Sequence, residues 1–268
     1  MNRKIGILTF SYTLFLILLF LSGSLGSVLS DLVYYLSFIV PIAISLYLTR
    51  DEGVEWKKHL IIDIDGAKLT APLVFPTVSV IMLLSYVTSL IIFALTGKTN
   101  SIDLGDSYFL ALFTHALIPA IFEEALFRYL PMRLIAPHSP RCAVIASSFF
   151  FALVHHDLFS IPYAFLAGII FMALDLATDS VIPSIIIHFI NNSISISLMF
   201  INRDAAPLVL YIMILLLTVL SIIIIAKNKD KYRRLLVFVT EKGEGVRFTP
   251  EMILFAAVTL IIAVVSLL

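Results

Sequence analysis

Two adjacent carboxylates and a guanidinium, Glu123, Glu124 and Arg128, stand at the end of a strongly apolar stretch in a chain with only 13% charged residues. A charged side chain at the centre of a membrane helix costs roughly 2.5–3.5 kcal/mol on insertion scales, so it is normally retained for function. Further polar groups follow in later apolar stretches: His155, and the pair His188 and Asn192. A carboxylate in a low-dielectric cavity is a stronger base toward water. A buried amide aimed where negative charge develops contributes about 100-fold to 1000-fold in rate. Acid, imidazoles and amide together point to hydrolysis within a membrane.

Spacing separates the roles of the two acids. Glu124 and Arg128 are four apart with the acid N-terminal, so they share a helix face and suit an ion pair. Glu123 lies off that face without such a local partner, which leaves it as the reactive carboxylate and gives Glu124 a structural or orienting task. The bland alternative is that both acids reach for the membrane interface with Arg128. His188 and Asn192, again four apart, share a face from which both can aim donors at one point. A lone histidine or asparagine in a span usually ties helices together, whereas a pair at one level with a third histidine and a bare carboxylate favours a site.

The elements that must position these groups follow from composition. With 60% hydrophobic residues and a strongly positive mean hydropathy, the chain reads as an all-α, polytopic helical bundle in a membrane, one domain over residues 1–268 with a motif-bearing core over 107–200. Spans are expected over residues 5–29, 32–49, 71–96, 107–130, 141–157, 160–178, 181–201, 205–226 and 251–268, eight or nine in all. Thr249, Pro250 and Glu251 are a helix start signal for the last. With the N-terminus inside, sixteen of the eighteen Lys and Arg residues fall on the inner side and only Lys98 and Arg203 outside. This fits a multi-pass protein of the cell membrane with a cytoplasmic N-terminus. The first span has the flanks of a signal peptide, but its uninterrupted length reads as a retained helix. Residues 50–70, with the only tryptophan, Trp56, read as a solvated loop, and the basic stretch from Lys227 to Arg247 as an inner loop against anionic lipid. Eighteen acidic residues balance the bases, which gives no sign of a nucleic-acid partner, and the single Cys142 excludes an internal disulfide.

Pro131, Pro137 and Pro140 place the inner turn between the fourth and fifth spans over about residues 131–140. Counted from that turn at about 1.5 Å per residue, Glu123 lies about 10 Å and His155 about 20 Å into the membrane, with His188 and Asn192 at about 10–18 Å. All four can share one layer. Asp175 reads as an interfacial or structural carboxylate, and His115 as a structural histidine with an option on the site.

Glu123-Glu124 with Arg128 resembles the E-E-x-x-x-R motif of the type II CAAX protease and bacteriocin-processing family of membrane glutamic proteases. Phe151 to His155 is similar to its F-x-x-x-H, and His188 to Asn192 to its H-x-x-x-N. The resemblance implies that Glu123 and His155 bind and activate a water, and that His188 and Asn192 stabilise the oxyanion. It also implies that Glu124 and Arg128 hold the motif helix while Phe151 packs beside the site. It further implies a membrane-associated peptide or protein substrate, prenylated or not, met in the lipid bilayer, with no cofactor and no metal. It does not reach the first two spans, the loop from 50 to 70 or the last span. Three other readings stay open. Two histidines and a glutamate also form zinc sites, though no H-E-x-x-H helix is present. A scaffold or regulator of the same family, or a solute path, would carry a polar cluster too, but a scaffold has no need of intact motifs and a transporter normally shows inverted repeats.

Overall fold

The computed structural model describes residues 2–23, 25, 27–50, 58–97, 104–155, 160–200 and 206–230, with a few positions between 233 and 259. Among the described residues the chain is helical, with no strand. In order, the helices are α1 (Asn2–Gly23), α2 (Ser27–Leu48), α3 (Ile64–Thr96), α4 (Tyr108–Leu134), α5 (Pro140–Leu153), α6 (Ile161–Thr178), α7 (Ile182–Phe200) and α8 (Ala206–Lys227). Within them, six stretches are long and apolar enough to cross a membrane: Arg3–Gly23, Leu29–Leu48, Ile64–Thr96, Tyr108–Leu134, Ile161–Thr178 and Ile182–Phe200. In a hydrocarbon core, only a helix or closed barrel satisfies every backbone polar group, so such apolar runs have one outcome. The span expected over 251–268 lies outside the described residues save positions 253, 257 and 259, as do Trp56 and its neighbours over 51–57.

Helices α1 and α2 pair as a hairpin, joined by a buried hydrogen bond between the hydroxyls of Ser11 and Ser45. Tyr12 of α1 stacks on Phe127 of α4 and Phe15 meets it edge-on, with ring centroids 5.0 and 5.8 Å apart, so the first helix belongs to the core around the motif helix. On the other side α3 packs on α6, α7 and α8 through Leu73, Val78, Ile81, Phe171 and Leu174. Helices α5 and α6 approach so closely at Gly168 that a Cβ there would stand 2.8 Å from the Cα of Ser148. Small residues serve this role between membrane helices, where close backbone packing replaces the hydrophobic drive.

The structure moves three expected boundaries. Helix α3 starts at Ile64, not near residue 71, because Asp63 caps it: the carboxylate accepts from the N–H of Gly66 at 2.6 Å. At 33 residues it is about 50 Å long, so it tilts or projects beyond a hydrocarbon core of about 30 Å. A short turn over Lys58–Leu60 precedes it, and there His59 pairs with Asp179 at 2.9 Å. The solvated loop expected over 50–70 is thus shorter than that range.

Helix α4 runs to Leu134, past the Pro131 expected to end it. Two wide π turns make this possible, Phe113–Leu117 before Pro119 and Ala125–Tyr129 before Pro131. A proline ring inside a helix clashes with the carbonyl four residues back. Widening the preceding turn moves that carbonyl aside, and the chain continues as helix. Helix α5 is shorter than expected, 14 residues or about 21 Å, and ends before His155.

Candidate active site

The seven residues Ile118–Glu124 form the ordinary α-helical segment between the two π turns of α4, and the acids stand at its end. Glu124 and Arg128 pair across the second π turn, Nε to Oε2 at 3.1 Å, with both side chains fully buried. The guanidinium carbon of Arg128 lies over Phe151, 3.9 Å from the ring centroid, and 5.4 Å from that of Phe171. Aromatic faces attract a cation best where water is excluded. Phe151 of the F-x-x-x-H segment therefore touches the E-E-x-x-x-R segment directly.

The other oxygen of Glu124 holds a second helix. His188 of α7 places Nδ1 2.7 Å from Glu124 Oε1. A carboxylate paired with arginine accepts, so the imidazole donates from Nδ1 and its Nε2 is left to face elsewhere. That nitrogen lies 3.9 Å from Glu123 Oε2, too far for a direct hydrogen bond. Glu123 is the more open acid, with 18% of its side chain exposed against none for Glu124.

Phe151 is the hub between the imidazoles, edge-on to His155 at 4.8 Å and to His188 at 6.1 Å between ring centroids. His155 sits just past the end of α5, its Nδ1 2.8 Å from the carbonyl oxygen of Phe151. A carbonyl only accepts, so Nδ1 carries a proton, and in the neutral tautomer this selects, Nε2 is the lone-pair nitrogen. Among the described residues His155 meets the cluster through Phe151, with no hydrogen bond of its own to Glu123.

His188 and Asn192 share a face of α7 but not an acceptor. The imidazole turns to the glutamates, while the amide Nδ2 of Asn192 donates to the backbone carbonyl of His115 at 3.4 Å. The Oδ1 of Asn192 accepts from Nδ2 of Asn191 at 3.3 Å. The His115 side chain is itself exposed, so its bearing on the site comes through its carbonyl.

Asp175 takes the structural role: it is fully buried near the end of α6, and its Oδ1 accepts the N–H of Ser184 at 3.1 Å in the first turns of α7. Ser184 lies one turn before His188, so this bond fixes the start of the helix that presents the imidazole. Sequence reasoning did not find this contact, nor the bond from the Ser147 hydroxyl to the carbonyl of Phe127. The second had a signal, since a proline four residues on always leaves a carbonyl without its helical donor. Among the described residues no group of three or more His, Cys, Asp or Glu side chains is placed to hold a metal ion.

No curated protein and no solved structure matches the chain. The acids, Arg128, Phe151, both site histidines and Asn192 all fall within residues 105–194, and this segment matches the family model described as type II CAAX prenyl endopeptidase, Rce1-like, the family that the three motifs resemble.

Proposed function

We propose that the chain is an intramembrane endopeptidase in which Glu123 activates a water against a peptide bond of a membrane-associated substrate. The observation that carries this is the division of labour between neighbouring acids around His188: Glu124 is consumed by Arg128 and Nδ1, while Glu123 faces Nε2 across 3.9 Å. A gap of that size between two polar groups suits a bridging water.

In this reading Glu123 takes a proton from the water as its oxygen attacks the carbonyl carbon, helped by the lone-pair nitrogen of His155. Negative charge develops on the former carbonyl oxygen, where an N–H on His188 Nε2, the ring nitrogen not held by Glu124, and an N–H of Asn192 stabilise it. The tetrahedral intermediate collapses, the C–N bond breaks, and the proton held by Glu123 passes to the departing nitrogen. Arg128 stays outside the chemistry and holds Glu124 in place, and Phe151 fixes the spacing of the imidazoles. Family similarity over residues 105–194 supports a prenylated or otherwise lipid-anchored substrate, reached from the bilayer.

The test is cleavage in proteoliposomes by wild type and Glu123→Gln, against quenched peptides with and without a lipid group, with and without a strong chelator. Wild type cleaves with chelator present, and Glu123→Gln reaches the membrane but does not cleave. Full activity of purified Glu123→Gln overturns the assignment; activity abolished by the chelator replaces it with a metal-dependent hydrolase.

A further inference from the structure

Helix α4 uses one device twice. Pro119 and Pro131 each follow a π turn, and each lacks the N–H that would serve the carbonyl four residues back. Those carbonyls belong to His115 and Phe127. Both are met by a side chain from another helix: Nδ2 of Asn192 in α7 donates to His115, and the buried hydroxyl of Ser147 in α5 donates to Phe127. The main-chain donor just before each proline is already committed, since Ile118 N–H donates to Phe113 and Leu130 N–H to Ala125. The π turns thus hand both carbonyls to neighbours.

We propose that Pro119 is a positioning residue for Asn192: by withdrawing the helical donor from the His115 carbonyl, it turns that carbonyl into the anchor of the Asn192 amide. This rests on the reading in which Asn192 donates to the oxyanion. An amide has two N–H groups on one rigid plane. One donates to His115 at 3.4 Å and the oxygen accepts from Asn191 at 3.3 Å, so these two contacts orient the plane and direct the second N–H. The stabilisation of developing charge depends on donors oriented in advance, and a misplacement near 1 Å can cost about 100-fold. His188 is held separately by Glu124, so the two donors are set by different anchors.

Pro119→Ala returns an N–H to the helix, which competes for the His115 carbonyl and releases Asn192. In the peptide assay kcat falls about 10-fold or more while KM stays within about two-fold. In an Asn192→Ala background the same change costs nothing further, because the group it acts through is gone. An equal loss in both backgrounds overturns the proposal, since general distortion of α4 behaves that way.

A second measurement does not need Pro119→Ala to fold. His115-Ala116 is the only His-Ala pair in the sequence, so carbonyl-labelled histidine with nitrogen-labelled alanine isolates the His115 carbonyl by magnetic resonance in bilayers. Its resonance moves on Asn192→Ala, and an unmoved resonance overturns the anchor. Glu123→Gln that still cleaves removes the hydrolytic reading and leaves the carbonyl result standing. A silent carbonyl beside an inactive Glu123→Gln removes only the role of Pro119.

Discussion

Glu124 and His188, 64 residues apart, are joined at 2.7 Å in a buried contact that also locks Arg128. One carboxylate therefore organises two helices, and its neighbour Glu123 is released from structural duty. Removing Glu124 leaves an arginine buried without its counter-charge, and breaking such a pair costs about 3–5 kcal/mol. Glu124→Ala should be strongly destabilised in thermal unfolding, and Glu124→Leu with Arg128→Met should recover much of that loss. Equal stability of the single and double variants would show that the pair does not hold the motif helix.

Glu123 should respond in the opposite way. Its side chain is partly open and makes no close ion pair, so Glu123→Gln changes stability by less than about 0.5 kcal/mol, the range of ordinary substitutions outside special contacts. Unfolding temperature measured beside cleavage separates the acids: loss of activity with stability kept for Glu123, loss of both for Glu124. A Glu123→Gln protein that unfolds like Glu124→Ala contradicts this division.

Asp175 anchors the start of α7. Its carboxylate serves as a cap for the Ser184 N–H, and loss of a cap costs about 0.5–2 kcal/mol. Asp175→Ala should lose stability in that range and lower kcat more than it raises KM, because His188 lies one turn further along. Asp175→Asn keeps an acceptor oxygen and should restore most of both. If Ala and Asn behave alike, the hydrogen bond to Ser184 is not what fixes α7.

Gly168 tests the packing beneath the site. A methyl group there meets the backbone Cα of Ser148 at 2.8 Å, and a backbone atom cannot swing aside as a side-chain tip can. Gly168→Ala should separate α5 from α6 and cost about 1–3 kcal/mol, the usual penalty for overpacking. Phe151 and His155 ride on α5 or just past its end, so cleavage should fall with it. Wild-type stability would mean that the helices have room to part.

Much of the site is legible in the sequence because it depends on helix periodicity. Four-residue spacing puts Glu124 opposite Arg128, and the ion pair follows at 3.1 Å. The same spacing puts His188 and Asn192 on one face, but it says nothing about what that face meets. The expectation of a shared target did not anticipate two stronger local claims. One is a carboxylate already paired with arginine, and the other is a carbonyl freed by a proline. Likewise Asp175, read as interfacial or structural, is buried because α6 brings it against the first turns of α7.

The sequence by itself determined that this chain is helical, that it belongs in a membrane, and which residue types its core would gather. Those follow from composition and from a repeat of 3.6 residues, which are properties of each segment alone. Only the tertiary structure decided that Glu124 takes His188, that Phe151 bridges both imidazoles and Arg128, and that His115 meets Asn192 through its backbone carbonyl. Such pairings depend on how each helix is rotated against its neighbours. In α4 that rotation is reset twice by a π turn before a proline, a local widening that no hydrophobic periodicity records.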